Sequence, residues 1–160
     1  MPIQFKNLRN VVTTPRLMYT LRTAPCTGSK ELELYNEVLR STLSATLNVD
    51  LSDEGWQQAS LPVRWGGLGV RSAVMLAPSA YLASAASTAT LVLKLLPSCL
   101  HHISDRSTPN TLAAWQSAVE PATLAPVDLA ATRQRSWDDL CCQRQSTLLL
   151  NSAVNDREKA

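Results

Sequence analysis

Apolar residues recur at helical spacing in most of the chain, and alternation of the strand type is absent from the pattern. Residues 4–23 place Phe5, Leu8, Val12, Leu17 and Leu21 along one stripe, with a kink predicted near Pro15. Pro25 and Gly28 end that stretch. Ser29 is positioned to cap a second helix over 31–47, where Leu32, Tyr35, Leu39 and Leu43 follow at three- and four-residue steps, the clearest amphipathic run in the sequence. A turn over 48–53 leads to a short helix over 54–60 that carries Trp56.

Beyond residue 72 the pattern loosens. Small residues dominate two predicted helices, 72–84 and 86–96, with Pro97 as the stop. A polar stretch over 104–110 precedes a helix to about residue 119, with Thr108 as its cap and Pro109 at its first position. Pro121 and Pro126 mark a linker to a last helical section over 127–153, broken near Ser136. The charged residues 155–160 are predicted to fray. The fold class is therefore all-α: a bundle of about six to eight short helices. Its domains divide at 1–103 and 104–160, the second reading as a truncated helical extension.

Composition fits that picture. Apolar residues make up 45% of the chain but aromatic ones only 5%, so Ala, Ser, Thr and Leu supply the bulk, as in closely packed helices. The net charge of +2 is uninformative as a sum, but residues 1–30 hold Lys6, Arg9, Arg16, Arg22 and Lys30 and no acid. Cys26, Cys99, Cys141 and Cys142 show no secreted disulfide framework, which predicts a reducing nuclear or cytoplasmic setting and not a secreted one. Cys99 with His101 and His102 falls short of the four convergent ligands of a structural zinc site. The uncharged run 72–93 is long enough to raise a membrane span, but Ala, Ser and Thr dominate it and Pro78 interrupts it.

The most particular stretch is Leu61-Pro62-Val63-Arg64-Trp65-Gly66-Gly67-Leu68-Gly69-Val70-Arg71, which predicts a glycine-rich extended turn or small hairpin near residues 61–71. A dinucleotide loop is excluded, since Ser72 stands where its third glycine belongs. Two readings stay open. The loop is structural, with Trp56, Leu61 and Trp65 packed beneath it, or its N–H groups form an anion nest with Arg64 and Arg71 touching phosphate. No nucleophile elbow or triad supports catalysis.

This stretch resembles the segment just after the polymerase palm in reverse transcriptases of non-LTR (LINE-type) retrotransposons. Upstream, Pro15-Arg16-Leu17-Met18-Tyr19-Thr20-Leu21-Arg22 resembles the helix that enters the thumb of that family. Downstream, Leu76-Ala77-Pro78-Ser79-Ala80-Tyr81-Leu82-Ala83-Ser84 resembles its Ala-rich helix, and Ser136-Trp137-Asp138-Asp139-Leu140-Cys141 its Trp-Asp element. The resemblance implies the thumb and following helical region of an RNA-directed DNA polymerase, binding an RNA–DNA template-primer duplex by its backbone. Candidate nucleic-acid contacts are Arg9, Arg16, Arg22, Arg64, Gly66, Gly67, Gly69 and Arg71. The remainder of the polymerase is the other implied partner; neither a membrane nor a small-molecule ligand is implied.

The aromatic-x-Asp-Asp turn of the palm, which clamps two metals in such enzymes, has no counterpart here. The pair Asp138-Asp139 instead reads as first-turn acid behind a Ser136 cap. The chain is thus expected not to be an enzyme by itself and to hold no cofactor, Mg belonging to the absent palm. The rival expectation is a helical interaction or scaffold module, a retroelement remnant without a nucleic-acid role, motivated by the low net charge and scarce aromatics.

Overall fold

A computed structural model of the chain describes residues 14–100 and 105–153, with side chains from residue 17 onward. Among the described residues the protein is all-α, with seven α-helices and no strand. They are α1 Thr14–Thr23, α2 Lys30–Leu47, α3 Asp53–Ser60, α4 Ala73–Leu95, α5 Ser107–Ala118, α6 Asp128–Ala131 and α7 Gln134–Ser152. Single 3-10 turns, Val63–Trp65 and Ser98–Leu100, follow α3 and α4.

Helix α4 is the axis on which α1, α2, α5, α6 and α7 all pack. Its first half supplies small residues, and small residues let neighbouring helices approach closely. Ala73, Leu76, Ala77 and Ala80 are buried against Leu21 of α1 and Leu32 of α2, with Leu17, Met18, Cys26 and Tyr35 around them. Further along, Leu82 and Ala83 are buried with Trp115 and Val119 of the α5 region and Trp137 and Cys141 of α7. A third cluster, Leu43, Ala59 and Val70, joins α2 and α3 to the chain that follows them. The segment after residue 104 therefore packs on the same helix as the segment before it.

The two predicted helices over 72–96 form one helix of 23 residues. Ala83, Ala85 and Ala86 are good helix formers, and no Gly or Pro stands at the join to break the run. Pro78, which costs a helix about 3 kcal/mol in its interior, is buried together with Ala77, Ser79 and Ala80, and the helix continues through it. Ser72 starts the helix by accepting from the Met75 N–H at 3.3 Å and from the Asn36 amide at 2.8 Å. By length and apolarity α4 reaches what a membrane crossing needs, yet the half from Ala73 to Ala83 is the centre of the bundle.

Helix starts also depart from expectation in their chemistry. Ser29 does precede α2, but its hydroxyl turns to Glu31 at 2.6 Å instead of capping backbone. Helix α5 starts at Ser107, and Asp105, not Thr108, satisfies its first turn by accepting from the Ser107 and Thr108 N–H groups at 2.8 and 3.2 Å. Pro109 thereby becomes the third helical residue, where no N–H is needed. The last section breaks after Ala131, before Ser136, which makes Ser136 the third residue of α7 and not its cap.

Trp115 and Trp137 meet edge to face, with ring centroids 4.9 Å apart and planes at 78°. The Trp115 indole donates to the Trp137 carbonyl at 3.2 Å, and the Trp137 indole to the Ala131 carbonyl at 2.8 Å, so neither ring buries an unsatisfied donor. Arg144 closes the same corner by donating to the Ser117 carbonyl at 3.0 Å and to that of Val119. Trp115→Ala opens a large cavity there and is expected to cost about 3–5 kcal/mol, read as a lower urea midpoint.

Candidate functional site

The glycine loop is held from inside. After the Val63–Trp65 turn the backbone doubles back along the end of α3, and five successive N–H groups donate inward. Gly66 bonds to Val63 at 3.1 Å, Gly67 to Pro62 at 3.2 Å, Leu68 and Val70 to Ala59 at 3.2 and 3.3 Å, and Gly69 to Leu61 at 2.9 Å. Gly66 takes the left-handed conformation that ends the turn, with φ at 79°. At Gly67 the approach is so close that a Cβ would collide with the Leu61 carbonyl and lie 2.6 Å from the Gln58 oxygen. No strand forms here; the loop is the turn of the two expected shapes. With all five N–H groups taken, Gly66, Gly67 and Gly69 have no backbone donors left for a nest.

The arginines on either side of the loop reach α7. Arg71 places Nη2 2.5 Å from Oδ1 of Asp138, with side-chain exposures of 14% and 12%. Its Nη1 donates to the Cys142 sulfur at 3.3 Å and to the Ser60 carbonyl at 3.4 Å. Arg64, on the 3-10 turn, pairs with Asp139, whose other oxygen accepts from Arg135 Nε at 3.2 Å. Two neighbouring carboxylates on one helix thus receive two arginines lying seven positions apart around the loop.

Asp138 and Asp139 are the residues that the sequence reading misassigned. Helix α7 begins at Gln134 and has no acid in its first turn, so the pair sits beyond the reach of its N-terminal dipole and serves the tertiary contact. Nothing in the sequence links Asp138 to Arg71, 67 positions away. One hint was available: an Asp-Asp pair inside a helix is unfavourable without cations beside it.

The other candidate residues fall elsewhere. Arg22, exposed at the end of α1, donates to the Gln134 side chain at 3.2 Å and so stands beside the start of α7. Arg9 and the side chain of Arg16 lie outside the described residues, as do Lys6, His101 and His102. An open cleft of about 410 Å³ between α2, α3 and α4 includes Asn36, Trp56 and Ser72 in its wall. Asn36 and Ser72 are engaged with each other there, the Asn36 amide donating to the Ser72 hydroxyl and its oxygen accepting from the Ala73 N–H, both at 2.8 Å.

Burial sets the electrostatics. It raises the Asp138 carboxyl above its ordinary 3.8, against the opposing pull of Arg71 and Arg64. It likewise pushes the Cys141 thiol up to about 12, with the Asp138 charge adding to the effect. Cys142 is raised for the same reasons, so neither thiol is an activated nucleophile. Comparison with protein-family models, curated proteins and solved structures finds no match.

Two outcomes are expected of the buried pair. Arg71→Met leaves a buried carboxylate unpaired and costs about 3–5 kcal/mol in urea unfolding, whereas adding Asp138→Leu returns most of that loss. In a carboxyl-carbon NMR titration Asp138 has its midpoint above 3.8. Asp105, stabilised by the Thr108 hydroxyl and the Ser107 N–H, has its midpoint below that value. The sign follows: between 3.8 and the raised value the folded protein keeps a proton the unfolded chain has lost. The Asp138 contribution to stability therefore declines as pH rises through that window, and Asp138→Asn removes the slope.

Proposed function

We propose that this chain is the thumb and following helical region of a non-LTR retrotransposon reverse transcriptase, and that it holds the backbone of an RNA–DNA template-primer duplex without reading sequence. The observation carrying the proposal is the union of the glycine motif with the Trp-Asp element through Arg71–Asp138 and Arg64–Asp139. Two motifs that resemble the family in linear order act as one physical unit, which favours a common origin over chance likeness. Catalysis, in this reading, belongs to a palm on the rest of the polymerase. Arg71 then positions the thumb, while Arg22, Arg64 and the basic start with Arg9 and Arg16 are the groups for phosphate.

A second reading has its own observation. The last part of α4 exposes Leu91, Val92, Leu93 and Leu95, with Leu96 just beyond, at 40–74% of their surface. An apolar end of that kind suits a protein contact. In the polymerase reading the contact is the remainder of the enzyme; in a scaffold module it is another partner.

Binding of the chain to an RNA–DNA hybrid of arbitrary sequence, measured across a salt series, decides between them. The polymerase reading expects affinity indifferent to sequence and a log–log salt slope of about −3, as three or four phosphate contacts give. A monodisperse chain that binds no hybrid sinks it and favours the scaffold module.

A further inference from the structure

Pairing sorts the arginines beside the glycine loop and the start of α7 into two groups. Arg71 is closed off by Asp138, Ser60 and Cys142. Arg22, Arg64, Arg133 and Arg135 are exposed. Contacts place three of them, and the chain places the fourth: Arg22 bonds Gln134, Arg135 shares Asp139 with Arg64, and Arg133 immediately precedes Gln134. Three elements far apart in sequence, α1, the 3-10 turn and α7, contribute to one surface.

That surface is under-neutralised. Asp139 is divided between two guanidiniums, and Arg22 is held by a neutral amide. Counting the inner pair as well, Asp138 and Asp139 together receive three guanidiniums, those of Arg71, Arg64 and Arg135. Arg133 is the N-cap residue and Arg135 the second residue of a 19-residue helix that has no side-chain cap and no acid in its first turn. Helix stability disfavours cations at that end, and an anion bound across the arginines reverses the sign. Trp137, the aromatic nearest to the α7 arginines in sequence, is turned into the core, while Tyr19, three positions before Arg22 on α1, is exposed.

We infer that Arg22, Arg133 and Arg135, with Arg64 at their edge, form the phosphate-contacting surface of this chain, and that its ligand is the sugar-phosphate backbone of a nucleic-acid duplex. This inference rests on the polymerase-thumb reading and adds to it Arg133 and Arg135, which precede the Trp-Asp element and which the motif resemblance does not point to. The glycine loop contributes by placing Arg64, and its backbone makes no direct contact.

The test compares the 160-residue chain with Arg133→Gln/Arg135→Gln and with a charge-matched control, Lys30→Gln/Lys94→Gln, on one RNA–DNA hybrid across a salt series. All four positions are exposed, and a thermal melt by circular dichroism checks that each variant is folded. At 0.1 M salt the arginine double variant is expected to lose roughly tenfold in affinity per contact removed, with the salt slope reduced by about two, while the control binds like the parent. A parent that binds while the arginine variant matches it in affinity and slope overturns this surface and leaves the polymerase reading standing. No binding by the parent overturns both. Binding of poly-L-glutamate in preference to the hybrid overturns the nucleic-acid ligand in favour of an acidic polypeptide.

Discussion

The buried ion pair between Arg71 and Asp138 is the constraint on which the remaining geometry depends. Arg71 is the last residue of the glycine loop before the Ser72 cap of α4, and Asp138 lies one turn into α7. Removing both charges from water is costly, and the net gain is small unless every remaining lone pair and proton is met. Here the guanidinium also reaches the Ser60 carbonyl and the Cys142 sulfur, which ties the end of α3 to the same point. An apolar pair of equal size would hold the elements about as firmly. The ion pair adds direction: if α7 slid by a turn, Arg71 would face the helix with no carboxylate in reach.

The close backbone approach at Gly67 works with that pair. Five inward N–H bonds fold the loop onto the end of α3, and the lack of a Cβ at Gly67 permits the contact with the Leu61 carbonyl. The loop thereby delivers Arg64 on one side and Arg71 on the other toward adjacent carboxylates of α7. On the opposite side of α4 the same economy of volume recurs, with Ala73, Ala77 and Ala80 letting α1 and α2 come near. A chain this poor in aromatic residues builds its core from close approach, and reserves its large rings for the corner where Trp115 meets Trp137.

These contacts change the meaning of the charge inventory. As a list, the arginines are equivalent basic residues spread from one end of the chain to the other. In the fold, Arg71 and Arg144 serve structural positions on carbonyls, sulfur and a carboxylate, Arg40 pairs with Asp53, and Arg22, Arg64 and Arg135 are exposed and linked through Gln134 and Asp139 at the start of α7. A net charge of +2 conceals that division.

What the sequence by itself determined is the helical class and most of the helix positions. The apolar spacing of Leu32, Tyr35, Leu39 and Leu43 and the stops at Pro25 and Pro97 are local signals, carried by residues within a turn or two of one another. The union of 72–84 with 86–96 into one helix runs through Ala85 and Ala86, where no Gly or Pro stands, whereas the passage of that helix through Pro78 depends on burial that outweighs the local penalty, and local signals do not report burial. The same limit applied at Asp138 and Asp139: near a helix start two aspartates look like first-turn acids, and only the arrival of Arg64 and Arg71 from 75 and 67 positions away makes them anchors. Propensity and periodicity act between neighbours in the chain, so the sequence determined the elements; which arginine is sheltered and which faces outward depends on residues distant in sequence, and only the tertiary structure decided that.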